Sequence, residues 1–199
     1  MAVEAATSSS EKNAKAQRIV AAMRESVGAK GAAASTFDEV AQRAGVSRGL
    51  LHYYFGSKEK LLVEVVRHDC EIRIGELRGR LEQAATVDEL VNVMLAGFED
   101  FVEDQAALIF ELFTASRHNP EIRGEVGELY RSVRSTIAEA LTEKHDEGVV
   151  SLRADADSVA SIILALGDGA ALQMLSEPEW DATDSIATGV AAVRFLLGE

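Results

Sequence analysis

Cysteine and proline are both scarce in this 199-residue sequence, and each scarcity closes off a class of structure. A single cysteine, Cys70, excludes an intramolecular disulfide and a zinc cluster built on several thiolates. The same usage suits a reducing compartment, so a cytoplasmic location is expected. Two prolines and fifteen glycines exclude collagen-like and low-complexity chains. No apolar run is read as approaching the roughly 18–20 residues of a membrane helix, and no membrane partner is expected. The first fifteen residues lack the apolar core of a signal peptide, and residues 1–11, small and polar, read as a disordered arm. Strand signals are nearly absent, with one weak candidate at 148–152. Neither a glycine-rich phosphate loop nor a nucleophile elbow occurs.

What is present is ordinary for a globular chain: 47% apolar and 27% charged residues. Folding at this length buries roughly 70% of the unfolded surface, so no covalent staple is required. The net charge of −13 is unevenly spread. Residues 1–60 hold nine basic and six acidic side chains, a net +3, whereas residues 61–199 hold 11 and 27, a net −16. A basic end on an acidic body attracts phosphates to one end only, although an acidic surface kept for solubility explains the body equally well.

Apolar residues recur at spacings of three and four along nearly the whole chain, which predicts an all-α fold. Nine helices are expected, over 12–27, 36–44, 48–54, 57–81, 87–103, 105–116, 120–146, 155–176 and 182–197. Thr36 and Glu39 have the spacing of a capping box, Gly45 is placed as a helix stop, and Ser47 as the cap of the next helix. Asn119-Pro120 is a start signal. The first helix is expected to end near Gly28.

The segment 36–54 has the form of a helix-turn-helix. Phe37, Val40 and Ala41 face inward on its first helix; Val46, Leu50 and Leu51 plug the second onto it. Arg48, Gly49, His52 and Tyr53 are left outward, where side chains near such a helix start reach base edges in a major groove. Thr36 and Ser47 suit phosphate contacts, and Lys58 adds a cation. A short αα-hairpin with no DNA role fits the same pattern.

The full run TFDEVAQRAGVSRGLLHYYFGSKEKLL, residues 36–62, resembles the DNA-binding region of the tetracycline-repressor (TetR) family. The likeness is densest over 44–62 and includes a Tyr-Phe-x-x-Lys element at Tyr54, Phe55 and Lys58. It implies an Ω-shaped homodimer of two-domain, nine-helix protomers and ligand-controlled repression. By that resemblance Thr36, Ser47, Arg48, Gly49, His52, Tyr53 and Lys58 fall at or near DNA-facing positions. The chain departs from many relatives at Leu50, where Thr is common, and at His52-Tyr53, where the order is reversed, so no operator sequence carries over. The implied division is a DNA-binding domain over 12–56 and a ligand-binding and dimerisation domain over 57–199, with 57–81 as connector.

In the body, 155–176 is apolar nearly all round. Val159, Ile162, Ile163, Leu166, Ala170 and Met174 share one face, and Leu164, Leu172 and Leu175 the other. A helix apolar on both sides is buried on both sides, the second side here against another subunit. Ile186, Val190, Val193 and Leu197 give the last helix a matching stripe. Asp168 falls among the second set and needs a donor, either within that interface or from a cationic or hydroxylated effector. Glu111 is placed on the surface. Met94, Phe98, Phe101, Phe110, Phe113 and Tyr130, with Asp168, make the best candidate ligand pocket, implying an apolar or amphipathic effector with a cationic option. Trp180 reads as a loop residue.

Glu64 and His68 lie four apart with Glu71 a turn further, but without a second ligand cluster an exposed helical face is the plainer reading. Neither a metal, a cofactor nor a catalytic residue is expected. The expected function is a DNA-binding regulator, a repressor released from a palindromic operator by a small molecule. The alternatives are a helical ligand-binding or scaffold protein without DNA binding, and a small metal-dependent helical enzyme.

Overall fold

Nine α-helices and no strand are found among the described residues, which in this computed structural model are 2–199, without the side chains of 2–13, Asp69 and Asp104. The helices are α1 (Ala2–Ala34), α2 (Phe37–Ala44), α3 (Arg48–Phe55), α4 (Lys58–Gln83), α5 (Val87–Asp104), α6 (Ala106–Ser116), α7 (Pro120–Asp146), α8 (Ala156–Ser176) and α9 (Thr183–Leu197). The all-α expectation holds, and the arm read over 1–11 falls, from Ala2 on, among residues whose side chains are not described. Local signals account for many helix ends. The Asn119 side-chain oxygen accepts from the backbone N–H groups of Glu121 at 3.0 Å and Ile122 at 3.4 Å, so the cap predicted for α7 is made.

One expectation fails for a physical reason. The first helix does not stop at Gly28. A glycine costs a helix only about 1 kcal/mol, and the alanine-rich stretch after it sustains the turn. The break comes at Gly31, with φ 80° and ψ 161°. Two buried serines tie that break down: Ser26 Oγ donates to Ser35 Oγ and Ser35 Oγ donates to the Gly31 carbonyl, each at 2.9 Å. The weak strand signal at 148–152 gives an extended segment without a strand partner. The Ser151 N–H reaches the Leu197 carbonyl at 2.8 Å and the Arg153 N–H the Leu196 carbonyl at 3.0 Å, which satisfies orphan acceptors at the end of α9.

The chain divides into two compact units, Met1–Asp69 with Leu108–Val126, and Cys70–Ala107 with Gly127–Glu199. In the first, Ile19, Met23, Val40, Leu51, Leu61, Leu112 and Ile122 are fully buried, and α2 packs against both α1 and α3. Lys60 pairs with Glu121 at 2.7 Å, and Arg67 with both Glu64 and Glu125. These pairs are solvent-accessible and contribute about 0–1 kcal/mol each. The second unit is built on Leu81, Leu90, Ile137, Leu141, Val150, Val159 and Leu197. Its buried charge, Lys144, is satisfied: Nζ donates to the Glu82 carbonyl and to Glu147, both at 2.8 Å.

The turn between α2 and α3 is the most constrained backbone in the first unit. Gly45 is left-handed, with φ 65° and ψ 40°, and the Gly45 and Val46 N–H groups turn back to the Gln42 and Ala41 carbonyls. A Cβ at Gly45 would stand 3.1 Å from Arg18 Nη2, whose guanidinium donates to the Ala44 carbonyl. Gly45→Ala should therefore lower the unfolding free energy by about 1–2 kcal/mol, read as a shifted urea midpoint at unchanged slope.

Candidate nucleic-acid interface

The outward face of α3 follows from how its inward face is fixed. Ser47 caps the helix by accepting from the Leu50 N–H at 3.2 Å, and Leu51 is fully buried. The Phe37 and His52 rings meet edge to face with centroids 4.9 Å apart. His52 Nδ1 donates to the Gly56 carbonyl at 3.1 Å, which leaves Nε2 of the neutral ring as an acceptor. Thr36 accepts from the Glu39 N–H at 3.4 Å, so one half of the expected capping box forms. The other half does not: the Glu39 carboxylate is taken by Lys30 and Arg43. The Lys30 hydrogen bond is the main cause holding the Glu39 carboxyl below its usual value.

Thr36, Ser47, Arg48, Gly49, His52 and Tyr53 are all exposed on this surface. Tyr53 is 74% exposed, its ring edge-on to Tyr54 at 5.5 Å. A Cβ on Gly49 would meet nothing nearer than Ser47 Oγ at 4.0 Å, so the flat spot is not demanded by packing within the chain. Lys58 is tied down, its Nζ donating to the Ala33 carbonyl at 3.1 Å, where a cation also suits the end of α1. Arg48 has a partner that sequence reasoning missed. Its Nη1 donates to both carboxylate oxygens of Asp38, at 3.1 and 3.0 Å. No spacing rule links positions 38 and 48; the turn at Gly45 brings them together.

The candidate pocket residues fall into different units. Phe110, half-buried, and Phe113, 57% exposed, belong to the first unit. Met94, Phe98, Phe101, Tyr130 and Asp168, all half-buried, belong to the second. There the Phe98 ring lies 3.5 Å from where a Cβ would stand on Gly167, the residue before Asp168 in the sequence. Asp168 finds its donor within the chain, since the Tyr130 hydroxyl hydrogen-bonds to its carboxylate. Burial pushes the Asp168 carboxyl up, and the Tyr130 hydrogen bond partly offsets this. Burial first, then the Asp168 charge and hydrogen bond, push the Tyr130 hydroxyl up, so it stays a donor. Glu111, expected at the surface, is half-buried. Glu64 accepts from Arg67 at 2.7 Å, and no group of three or more metal-ligating side chains occurs among the described residues.

The apolar faces of α8 and α9 need two corrections. Leu197, expected at an interface, is 1% exposed: the 151–153 segment folds over the end of α9 and draws it into the core. Ile162 and Leu166, expected on the covered face of α8, are exposed, Ile162 to 49%. Leu172 and Leu175 are also exposed, Leu172 to 52%, whereas Asp168 and Ile186 are half-buried and Leu164, Val190 and Val193 pack partly on the core. Phe195, which the stripe on α9 did not include, is exposed with Arg153 over its ring at 4.4 Å. The expectation on apolar runs is also corrected. The 21-residue α8, with an 18-residue window of mean hydropathy 1.6, is long and apolar enough to cross a membrane by length and composition. Asp168 interrupts the run without lowering its average below that level, and Asp157 precedes the most apolar stretch.

Comparison with known proteins gives this surface its context. Residues 19–65 match the family model for bacterial regulatory proteins of the tetR family, and residues 83–198 match that of the BetI-type transcriptional repressor C-terminal region. The HTH-type transcriptional regulator BetI of Rhizobium meliloti is 30% identical over 155 residues, covering 72% of this chain and 69% of that protein. A TetR-family transcriptional regulator from Pectobacterium atrosepticum superposes with a TM-score of 0.73 at 22% identity, covering 96% of this chain and 97% of that one. A Saccharomonospora viridis protein solved in complex with choline superposes with a TM-score of 0.72 at 23% identity, covering 89% and 93%. With a capped α2–α3 pair at its N-terminal end and a BetI-type region over most of the remainder, the chain belongs to the TetR family and is a DNA-binding transcriptional regulator.

Proposed function

We propose that this regulator is a cytoplasmic repressor that binds a roughly palindromic operator as a homodimer, one α3 in each of two successive major grooves, and leaves it when a small molecule binds the body. The observation that carries this reading is the outward set on α3, Arg48, Gly49 and Tyr53, held on a rigid α2 by the Gly45 turn. Thr36, Ser47 and Lys58 serve the phosphates, and His52 offers Nε2. DNA binding resides in 12–56, and effector binding and dimerisation in 57–199, with 57–81 as connector.

The outward apolar residues of α8 support pairing with a second copy, because nothing among the described residues covers Ile162, Leu166, Leu172 and Leu175. The effector is an apolar or amphipathic molecule, with cations favoured over anions. Asp168 presents a half-buried carboxylate, and the Phe98 ring lies against Gly167, the residue before it; a carboxylate and an aromatic face each suit a cation. The Saccharomonospora viridis protein binds such a cation, choline. Effector coupling of about 1–3 kcal/mol corresponds to a 5–150-fold loss of operator affinity.

Three measurements check this reading. After an operator is selected from random DNA, Arg48→Ala and Tyr53→Ala should each weaken it by about 1–3 kcal/mol. Unchanged affinity in both variants overturns the docking of α3. In sedimentation the chain should be a dimer at micromolar concentration, and Leu172→Glu, which buries an unpaired charge, should shift it to monomer at a cost of several kcal/mol; a monomeric wild type contradicts the pairing. In DNA-release titrations with a mixed library, cationic amphiphiles should act and Asp168→Asn should weaken them about tenfold. Release by anions alone refutes the cationic preference.

A further inference from the structure

The contact between Asp38 and Arg48 serves no evident purpose in folding. Both side chains are more than half exposed, and an ion pair in that setting adds little to stability. Its geometry is nevertheless selective. One guanidinium nitrogen, Nη1, spans both carboxylate oxygens, at 3.1 and 3.0 Å, which leaves the edge formed by Nε and Nη2 without a partner among the described residues. That edge presents two parallel N–H donors, the fork that matches the O6 and N7 acceptors of guanine in a major groove.

The surroundings of Asp38 reinforce this. It lies in the first turn of α2, whose cap residue Thr36 is exposed, while its neighbour Glu39 is already engaged by Lys30 and Arg43. Asp38 is therefore the carboxylate that Arg48 meets, and its charge disfavours a phosphate at the same place. An arginine free to swing would take the nearest phosphate, a contact that carries no sequence information. An arginine held at Nη1 is directed at a base edge and has less rotamer freedom to lose on docking.

We propose that Asp38 is a positioning residue for sequence readout: it holds Arg48 so that the Nε–Nη2 edge is offered to a guanine, and so sets one base preference in each half-site. This rests on α3 being the helix that reads DNA. The experiment is selection of bound duplexes from a random pool by the full chain, followed by affinity measurements on the enriched and scrambled duplexes over a range of salt. Wild type should enrich guanine at one position per half-site, and Arg48→Ala should abolish that preference alone. Asp38→Asn should reduce it about tenfold while strengthening scrambled-duplex binding and steepening the salt slope by about 1, as the released arginine takes a phosphate. In the Arg48→Ala background Asp38→Asn should change nothing at that base, an outcome that a general loss of structure would not produce. An Asp38→Asn variant that keeps both the preference and the wild-type slope overturns the proposal, as does a guanine preference that survives Arg48→Ala. A wild-type pool with no enriched motif instead overturns the reading of α3 as the DNA-reading helix, and this proposal with it.

Discussion

The left-handed backbone at Gly45 is the constraint on which the outward face of α3 depends. It ends α2, turns the chain within two residues and sets Ser47 where its hydroxyl can cap α3. The phase of α3 follows: once Leu51 is seated in the core, the residues at 48, 49, 52 and 53 have only the outward side available. The Arg18 guanidinium on the Ala44 carbonyl and the Val46 N–H on the Ala41 carbonyl fasten the same turn from two sides. A single backbone conformation thus decides which residues solvent, or a groove, can meet.

Charge acts at longer range and with less precision. The surplus of basic residues over 1–60 and of acidic residues over 61–199 orients approach to a polyanion rather than binding it. Many body acids are locally neutralised, Asp88 by Arg194, Glu139 by Arg78 and Asp157 by Arg134. The field from such pairs fades within a Debye length of about 8–10 Å in physiological salt. Discrimination between sequences calls for contacts of shorter reach than this.

Much of the architecture was legible because its signals are local. The Asn119-Pro120 start, the Ser47 and Thr36 caps and the Gly45 stop each act within four residues, and the helix expected over 120–146 has the observed bounds of α7. The outward set on α3 was legible through a motif and a helical phase, both one-dimensional properties. What escaped is what only tertiary proximity creates: Asp38 beside Arg48, the Tyr130 hydroxyl on Asp168, and Lys144 buried against the Glu82 carbonyl. Leu197 escaped for the same reason. Its stripe on α9 is real, but a segment more than forty residues earlier covers it. The Gly28 stop failed because a glycine propensity penalty is smaller than the sum of its alanine neighbours' preferences.

The contact between residues 151–153 and the end of α9 has a consequence for synthesis. The core of the second unit contains Leu197, and its last carbonyls are satisfied by the Ser151 and Arg153 N–H groups. Leu81, Leu90 and Leu141 of that core emerge from the ribosome long before their final neighbour does. The first unit requires nothing beyond residue 126. On a translating ribosome the unit bearing α2 and α3 can therefore complete itself while the other still exposes apolar surface. The nascent body is then the part of the chain that calls for chaperone protection.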